Sequence, residues 1–295
     1  MKGKCIVSSC GKAASKCCGS CGLVRHCSVE CQKEDWKEHH KIFECVNMKK
    51  LSSVSLTEEE IYVVVDKIKI ISCRLFANGE HERNIDLLKE CIDFVRDSFC
   101  RLDCKDSHSM IRDGVKFNDI TICHLLVNLG HVYFSMASSS ETSNHAISYL
   151  SEARELLMQR KDVGKDDRDM WTLLFACDKD LGPLYAKIGQ LDKAEYHAVQ
   201  YVANARQYKG PDQADYLVAA LSNLSTCLRL DESKYPESLA VAEEAYLIAS
   251  KHYSPAHKMV MGASCEMISC LIKMKDYSTA DTYCRMNYAN ECGRI

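Results

Sequence analysis

The first 45 residues concentrate side chains that bind metal ions. Three cysteine pairs, two histidines and a closing cysteine fall within this stretch: Cys5, Cys10, Cys18, Cys21, Cys27, Cys31, His39, His40 and Cys45. Zinc prefers tetrahedral sulfur and nitrogen ligands, and a short turn can point a closely spaced pair of thiols at one ion. Because three such pairs precede the histidines, the segment carries enough ligands for two four-coordinate zinc sites.

A disulfide framework is the alternative for so many thiols, since the chain has 19 cysteines in 295 residues. The N-terminus, MKGKCIVSSC, lacks the long apolar core of a secretion signal. Clustered cysteines outside an oxidising compartment are more often metal ligands than disulfides. We therefore expect zinc in a structural role, because protein side chains would fill every position around both ions and leave none for water.

The order of these residues resembles a MYND zinc finger. The matching motifs are Cys10-Gly11-Lys12, Cys18-x2-Cys21-x5-Cys27-Ser28-x2-Cys31-Gln32, Asp35-Trp36 and His39-His40-Lys41 with Cys45. In that family the ligand pairs are interleaved. The resemblance implies one zinc on Cys5, Cys10, Cys27 and Cys31, and a second on Cys18, Cys21, His40 and Cys45. His39 is the alternative to His40, which we prefer because its spacing to Cys45 is closer to ordinary zinc spacings.

The charge of the chain is unevenly distributed. Residues 1–50 hold ten basic and five acidic residues, whereas residues 51–295 hold 28 basic and 36 acidic ones. The lysines of the first segment alternate with acids and lack the aromatic platforms of single-strand binders, so we expect no nucleic-acid partner. No stretch approaches the roughly 20 apolar residues that span a bilayer. The sequence therefore predicts a soluble, cytoplasmic protein without a membrane partner.

From residue 49 onward the pattern is helical. Thr57 and the three acids after it are typical of a helix start. Apolar residues then recur with the spacing of one buried helical face up to Leu75, and Gly79 ends the pattern. A second helix is predicted over Arg83 to Phe99. We therefore predict a mainly α protein in which a zinc finger, residues 1–48, precedes a helical repeat domain of about five hairpins, residues 49–295.

The helical part repeats itself. Residues 129–154 align without gaps with residues 181–206, and the shared positions include Leu129 with Leu181 and Ala153 with Ala205. Looser copies begin near Leu221 and Cys265. The segment Tyr185-Ala186-x2-Gly189-Gln190-Leu191-Asp192-Lys193-Ala194-Glu195 resembles a tetratricopeptide (TPR) repeat, although units here exceed the usual 34 residues. Repetition of this kind is typical of a helical solenoid, in which no hairpin buries its apolar face alone.

No catalytic constellation stands out in the helical part. The neighbours Cys123 and His124 would not face each other on a helix, and phosphate-binding loops and nucleophile motifs are missing. MYND fingers also occur in SET-and-MYND lysine methyltransferases, but here the finger begins at Cys5 and leaves no room for the first half of a SET domain. We expect a protein that is not an enzyme. A SET-less relative of those methyltransferases, acting as a nuclear or cytoplasmic co-regulator, is the alternative.

The layout of the whole chain, a finger followed directly by TPR units, resembles the family of zinc finger MYND domain-containing protein 12. The matching segments are Leu75-Phe76-x2-Gly79-Glu80-His81, Asp180-Leu181-Gly182-Pro183-Leu184-Tyr185 and Ala194-Glu195-Tyr196-His197. The resemblance implies a protein of the ciliary or flagellar axoneme that acts with another TPR protein and with dynein-associated components. The residues alone predict only a non-catalytic adaptor or scaffold.

Overall fold

A computed structural model describes residues 16–17, 25–26, 30, 57–103, 118–160 and 168–292 of the chain. Two short strands and ten α-helices lie in these ranges: β1 Lys16–Cys17, β2 Arg25–His26, α1 Glu58–Ala77, α2 His81–Asp103, α3 Asn118–Ser135, α4 Ser140–Arg160, α5 Arg168–Lys187, α6 Leu191–Gln207, α7 Gln213–Leu228, α8 Tyr235–His252, α9 Lys258–Lys273 and α10 Tyr277–Cys292. The chain divides into two compact units, Met1–Ser138 and Ser139–Ile295. The mainly α fold is confirmed, while the predicted boundary at residue 48 lies outside the described residues.

The start of α1 follows from its first residues. Thr57 accepts a hydrogen bond at its Oγ1 from the backbone N–H of Glu60, and the Glu60 carboxylate accepts one from the Thr57 N–H at 2.8 Å. This reciprocal capping box satisfies two donors that a helix end leaves unpaired. The predicted start at Thr57 is confirmed. The predicted second helix is also confirmed as α2, which begins at His81 and extends to Asp103.

Three helix ends share one turn geometry. Gly79 after α1, Gly189 after α5 and Lys275 after α9 have φ values of 71°, 78° and 66°. In each case the next residue donates a hydrogen bond to a carbonyl five positions back, as Asp276 does to Leu271 at 2.9 Å. This is the left-handed helix-ending turn that glycine adopts most easily. The same turn therefore recurs in the hairpins α1–α2, α5–α6 and α9–α10.

The unit Ser139–Ile295 is built from two kinds of helix. Each helix packs on the next one along the chain, and α7 also contacts both α5 and α9. The helices α5, α7 and α9, which we call the first helices, therefore form one continuous layer. The second helices, α6 and α8, contact the first helices before and after them. In the described ranges, no helix is both long and apolar enough to cross a membrane.

The internal repeat lies in the core. Leu129 and Leu181 are fully buried, and so are the small residues Ala153 and Ala205, which allow adjacent helices to approach. Tyr277, by contrast, is 62% exposed. It begins α10, and no further hairpin follows this helix in the part of the chain that the structure describes.

Candidate functional site

Every predicted zinc ligand lies outside the described residues. In this segment the structure describes β1 and β2, which pair antiparallel with Lys16 opposite His26 and Cys17 opposite Arg25. The chain leaves β1 one residue before Cys18 and leaves β2 one residue before Cys27. Because the strands run in opposite directions, these two exits lie at opposite ends of the ladder. The assignment of the cysteines and histidines to two zinc ions therefore stays a prediction.

The described helices offer no second metal centre. Within the described ranges, no three histidine, cysteine or acidic side chains come together around a common point. Most of the free cysteines in the described helices are buried, and burial raises the pKa of Cys91 to about 12 and that of Cys227 to about 11. Thiols in this state are poor nucleophiles and poor metal ligands at neutral pH. Cys123 of the Cys-His neighbour pair is also fully buried.

His197 is a packing residue. Its ring stacks on Tyr185, with 5.0 Å between the ring centroids and 6° between the planes. Burial is the main cause that lowers the pKa of His197 to about 4, and the positive charges of Arg154 and Lys193 contribute to the same shift. The imidazole is therefore neutral at pH 7.

A stripe of exposed small and polar residues runs along the first helices. On each helix they recur every three or four positions, which places them on one side. We call this stripe the first-helix face; it comprises Ala176, Lys179, Pro183, Ala219, Ser222, Thr226, Gly262, Cys265 and Ser269, all of which reach solvent. Side chains of this size let the backbone of another chain approach closely. An extended segment or a helix of another protein suits such a surface better than a small ligand does.

One carboxylate is held in place beside this face. Glu266 of α9 accepts hydrogen bonds at one oxygen from Thr226 Oγ1 of α7 at 3.1 Å and from Nη1 of Arg229, the residue directly after α7, at 2.7 Å. The two donors come from the neighbouring first helix, so they fix the spacing of α7 and α9 as well as the orientation of the carboxylate. The carboxylate, whose charge is offset by Arg229, is therefore held at a defined position beside the face.

The pair Gly182-Pro183 in α5 allows a hydrogen bond between α5 and α7. Pro183 lies inside this helix and has no N–H, so the carbonyl of Lys179 has no partner four residues along the chain. Asn223 of α7 supplies the donor instead, with its Nδ2 at 2.8 Å from that carbonyl oxygen. A Cβ at Gly182 would lie only 3.0 Å from Asn223 Oδ1. Gly182 thus provides the room in which Asn223 bonds the backbone of α5.

A buried ionic network joins α4, α5 and α6. Asp178 is fully buried, and its carboxylate accepts hydrogen bonds from Arg154 Nε at 2.6 Å and from Asn204 Nδ2 at 2.7 Å. Paired and hydrogen-bonded in this way, the charge is tolerated in the core. Sequence reasoning missed Asp178. The available signal was an acidic residue on the apolar stripe of α5, directly after the buried Cys177.

The finger segment matches known proteins over a short stretch. A family model described as the MYND finger matches residues 5–45. Ubiquitin carboxyl-terminal hydrolase 19 of Arabidopsis thaliana is 41% identical over 54 residues, which are 18% of this chain and 8% of that protein. Protein CBFA2T2 of Xenopus laevis is 44% identical over 34 residues, 12% of this chain and 6% of that protein. The matches thus span less than a tenth of either relative.

The helical part matches solved structures of repeat proteins. The TPR-like repeats of a Podosopora anserina putative kinesin light chain superpose with a TM-score of 0.56 at 14% identity, over 78% of this chain and 96% of that one. BtubC (BKLC) from P. vanneervenii gives a TM-score of 0.60 at 10% identity, over 84% and 87% of the two chains. RapI in its apo form gives 0.60 at 11% identity, over 89% and 60%. At such identities the likeness shows the fold alone.

These matches agree with the pattern of the sequence. The MYND finger is a zinc-binding module, so the N-terminal segment binds zinc in a structural role. Modules of both kinds generally bind other proteins. The chain therefore carries a MYND finger at residues 5–45 and the fold of TPR-like helical repeats in the helical part.

Proposed function

We propose that this protein is a non-catalytic adaptor that binds a partner protein on its first-helix face. The observation that carries the proposal is the continuity of that face over α5, α7 and α9, where exposed small side chains lie beside the fixed carboxylate of Glu266. A continuous surface of this kind suits a helix or an extended segment. The residues 51–295 carry more acidic than basic side chains, which favours a partner with basic patches at this face.

The finger contributes a second contact and is held together by two structural zinc ions. The first ion takes Cys5, Cys10, Cys27 and Cys31, and the second takes Cys18, Cys21, His40 and Cys45, with His39 in place of His40 as the alternative. The match of residues 5–45 to the MYND finger, a family in which the ligand pairs are interleaved, supports this assignment. In so small a module, the free energy of zinc binding is also the free energy of folding.

The setting we propose is the axoneme of a motile cilium or flagellum, where the protein acts with another TPR protein and with dynein-associated components. The support for this setting is the layout of the chain, a finger followed by TPR units. Tagged protein in a ciliated cell should sediment with axonemes after detergent extraction and be released by high salt. A nuclear or diffuse distribution would contradict the ciliary setting and favour the co-regulator alternative.

The adaptor role has its own test, which does not depend on the setting. A photo-crosslinking amino acid is placed at Thr226 on the first-helix face or, as a matched control, at Glu243, which is exposed on the second helix α8. In cells, the Thr226 position should yield one or a few defined crosslinked proteins that the Glu243 position does not yield. If both positions give the same pattern, the first-helix face is not the docking surface. Methyl transfer by the purified chain would contradict a non-catalytic role.

A further inference from the structure

A groove forms where α6 ends, α7 begins and α8 ends, and its volume is about 410 Å³. Ala214, Leu217 and Ile248 line it with apolar surface, and all three are only partly buried. A groove of this size accommodates a few side chains of a bound peptide, whereas a folded domain could not enter it.

The charged side chains that line this groove are both basic: Arg206 at the end of α6 and Lys251 at the end of α8. His252 lines the groove beside Lys251. Lys251 and His252 are exposed, and among the described residues Lys251 makes no ion pair. Arg206 bonds Glu244 at 2.8 Å, yet its side chain remains 56% exposed. The rim therefore presents positive charge that the protein does not fully neutralise.

The acidic residues nearby leave this charge largely in place. Asp212, in the loop before α7, forms an ion pair at 2.6 Å with Arg168, the first residue of α5. Asp215 is exposed on α7, but its side chain does not line the groove. Within the part of the chain that the structure describes, Glu244 alone forms an ion pair with a residue of the rim. The groove is thus locally basic although residues 51–295 carry an excess of eight acidic side chains.

Apolar surface continues beyond the groove along α8. The side chain of Leu247 is 67% exposed and lies four residues before Lys251, so the two share one side of the helix. Apolar contacts and cations therefore alternate along the rim. Sites for single-stranded nucleic acid usually have a longer row of cations for the backbone and aromatic side chains on which the bases stack. An acidic peptide with apolar anchors matches both features.

We propose that this groove binds an acidic linear segment of a partner protein, in which aspartate or glutamate alternates with large apolar residues. A carboxylate of the segment pairs with Lys251, a second one competes with Glu244 for Arg206, and an apolar side chain contacts Leu217 and Ile248. The proposal rests on the adaptor role and adds to it a second docking surface. The charge preference of this surface is opposite to that of the first-helix face.

The test is a selection from a displayed library of random twelve-residue peptides against the full zinc-loaded chain. Enriched peptides should combine Asp or Glu with Leu, Ile or Phe. The affinity of the best synthetic peptide should fall at least tenfold for Lys251→Glu and decrease with added salt. Lys273→Glu on α9 makes the same change of charge outside the groove, and this control should leave the affinity within about twofold of the unmodified chain.

Three outcomes would overturn the proposal: no enrichment of acidic peptides, an equal loss for both variants, or no loss for Lys251→Glu. An equal loss would mean that net charge alone attracts the peptide. Circular dichroism of each variant separates a loss of binding from a loss of folding. The crosslink from Thr226 tests the first-helix face and not the groove. If the peptide selection fails but that crosslink still forms, the adaptor role stands without the groove as a docking surface.

Discussion

The bond between Asn223 and the backbone of α5 should depend on Pro183. In the unmodified chain, the Lys179 carbonyl lacks its usual helical donor and takes the Asn223 amide at 2.8 Å instead. A hydrogen bond of this kind contributes about 1 kcal/mol net to the free energy of unfolding. Asn223→Ala should therefore destabilise the unit Ser139–Ile295 by about 1 kcal/mol, which lowers its melting temperature by about 2–4 °C.

Pro183→Ala should reduce the contribution of the Asn223 hydrogen bond to the free energy of unfolding. The restored N–H can donate to the Lys179 carbonyl within α5, so the amide of Asn223 is no longer needed there. In the Pro183→Ala background, Asn223→Ala should cost less than about 0.5 kcal/mol, which gives a coupling energy on the order of 0.5–1 kcal/mol between the two positions. Pro183→Ala by itself should stabilise the helix, because proline in a helix interior costs up to about 3 kcal/mol relative to alanine.

The double-mutant cycle can be read from one tryptophan. The chain has two, Trp36 in the finger and Trp171 in α5, so Trp36→Phe leaves a fluorescence signal from the repeat unit. Urea unfolding of the four variants in this background gives the free energies. Ser222→Ala, a truncation one residue away on α7, is the control and should be nearly neutral. An equal cost of Asn223→Ala with and without Pro183 would refute the reasoning.

Three further predictions concern a turn, the buried network and the finger. Lys275→Gly should raise the free energy of unfolding by about 1 kcal/mol, because Lys275 has a φ of 66°. Gly189→Ala at the equivalent turn should lower the free energy of unfolding by a similar amount. Urea unfolding measures both changes. Asp178→Ala should lower the free energy of unfolding by about 3 kcal/mol in the same assay, because it leaves the largely buried Arg154 without a carboxylate partner. A loss smaller than that expected for a surface ion pair would contradict the role of this network. Elemental analysis of the purified chain should find about two zinc ions, and Cys27→Ala should lose metal from the finger while the helical circular dichroism is retained.

The sequence predicted the features that depend on local spacing. The capped start at Thr57 and the buried stripe up to Leu75 follow from helix geometry alone, and the structure has both. The MYND finger was recognisable because zinc ligands must recur at short, fixed distances along the chain. The buried alanines of the repeat were recognisable for a similar reason, since two helices can approach closely only at small residues.

What the sequence could not predict depends on residues far apart in the chain. Asp178 is stabilised by Asn204, 26 positions away, and no local pattern distinguishes a paired buried acid from an exposed one. The partner of the Lys179 carbonyl is 44 positions away. Lys275 was also unexpected in a turn that glycine usually ends. In each case the packing of neighbouring helices fixes a conformation that the local sequence does not specify.

The groove at the end of α8 shows why net charge is a poor guide to a single binding surface. The acidic excess of residues 51–295 favours basic partners at long range, where the charges act together. At contact distance, only the side chains within about 10 Å of the bound segment act strongly, because salt screens the rest. Lys251 and Arg206 therefore set the charge preference that we propose for the groove, whereas Glu266 lies beside the first-helix face. A partner carrying one basic and one acidic segment would contact both the first-helix face and the groove. Two weak contacts on one chain raise the overall affinity without either being tight.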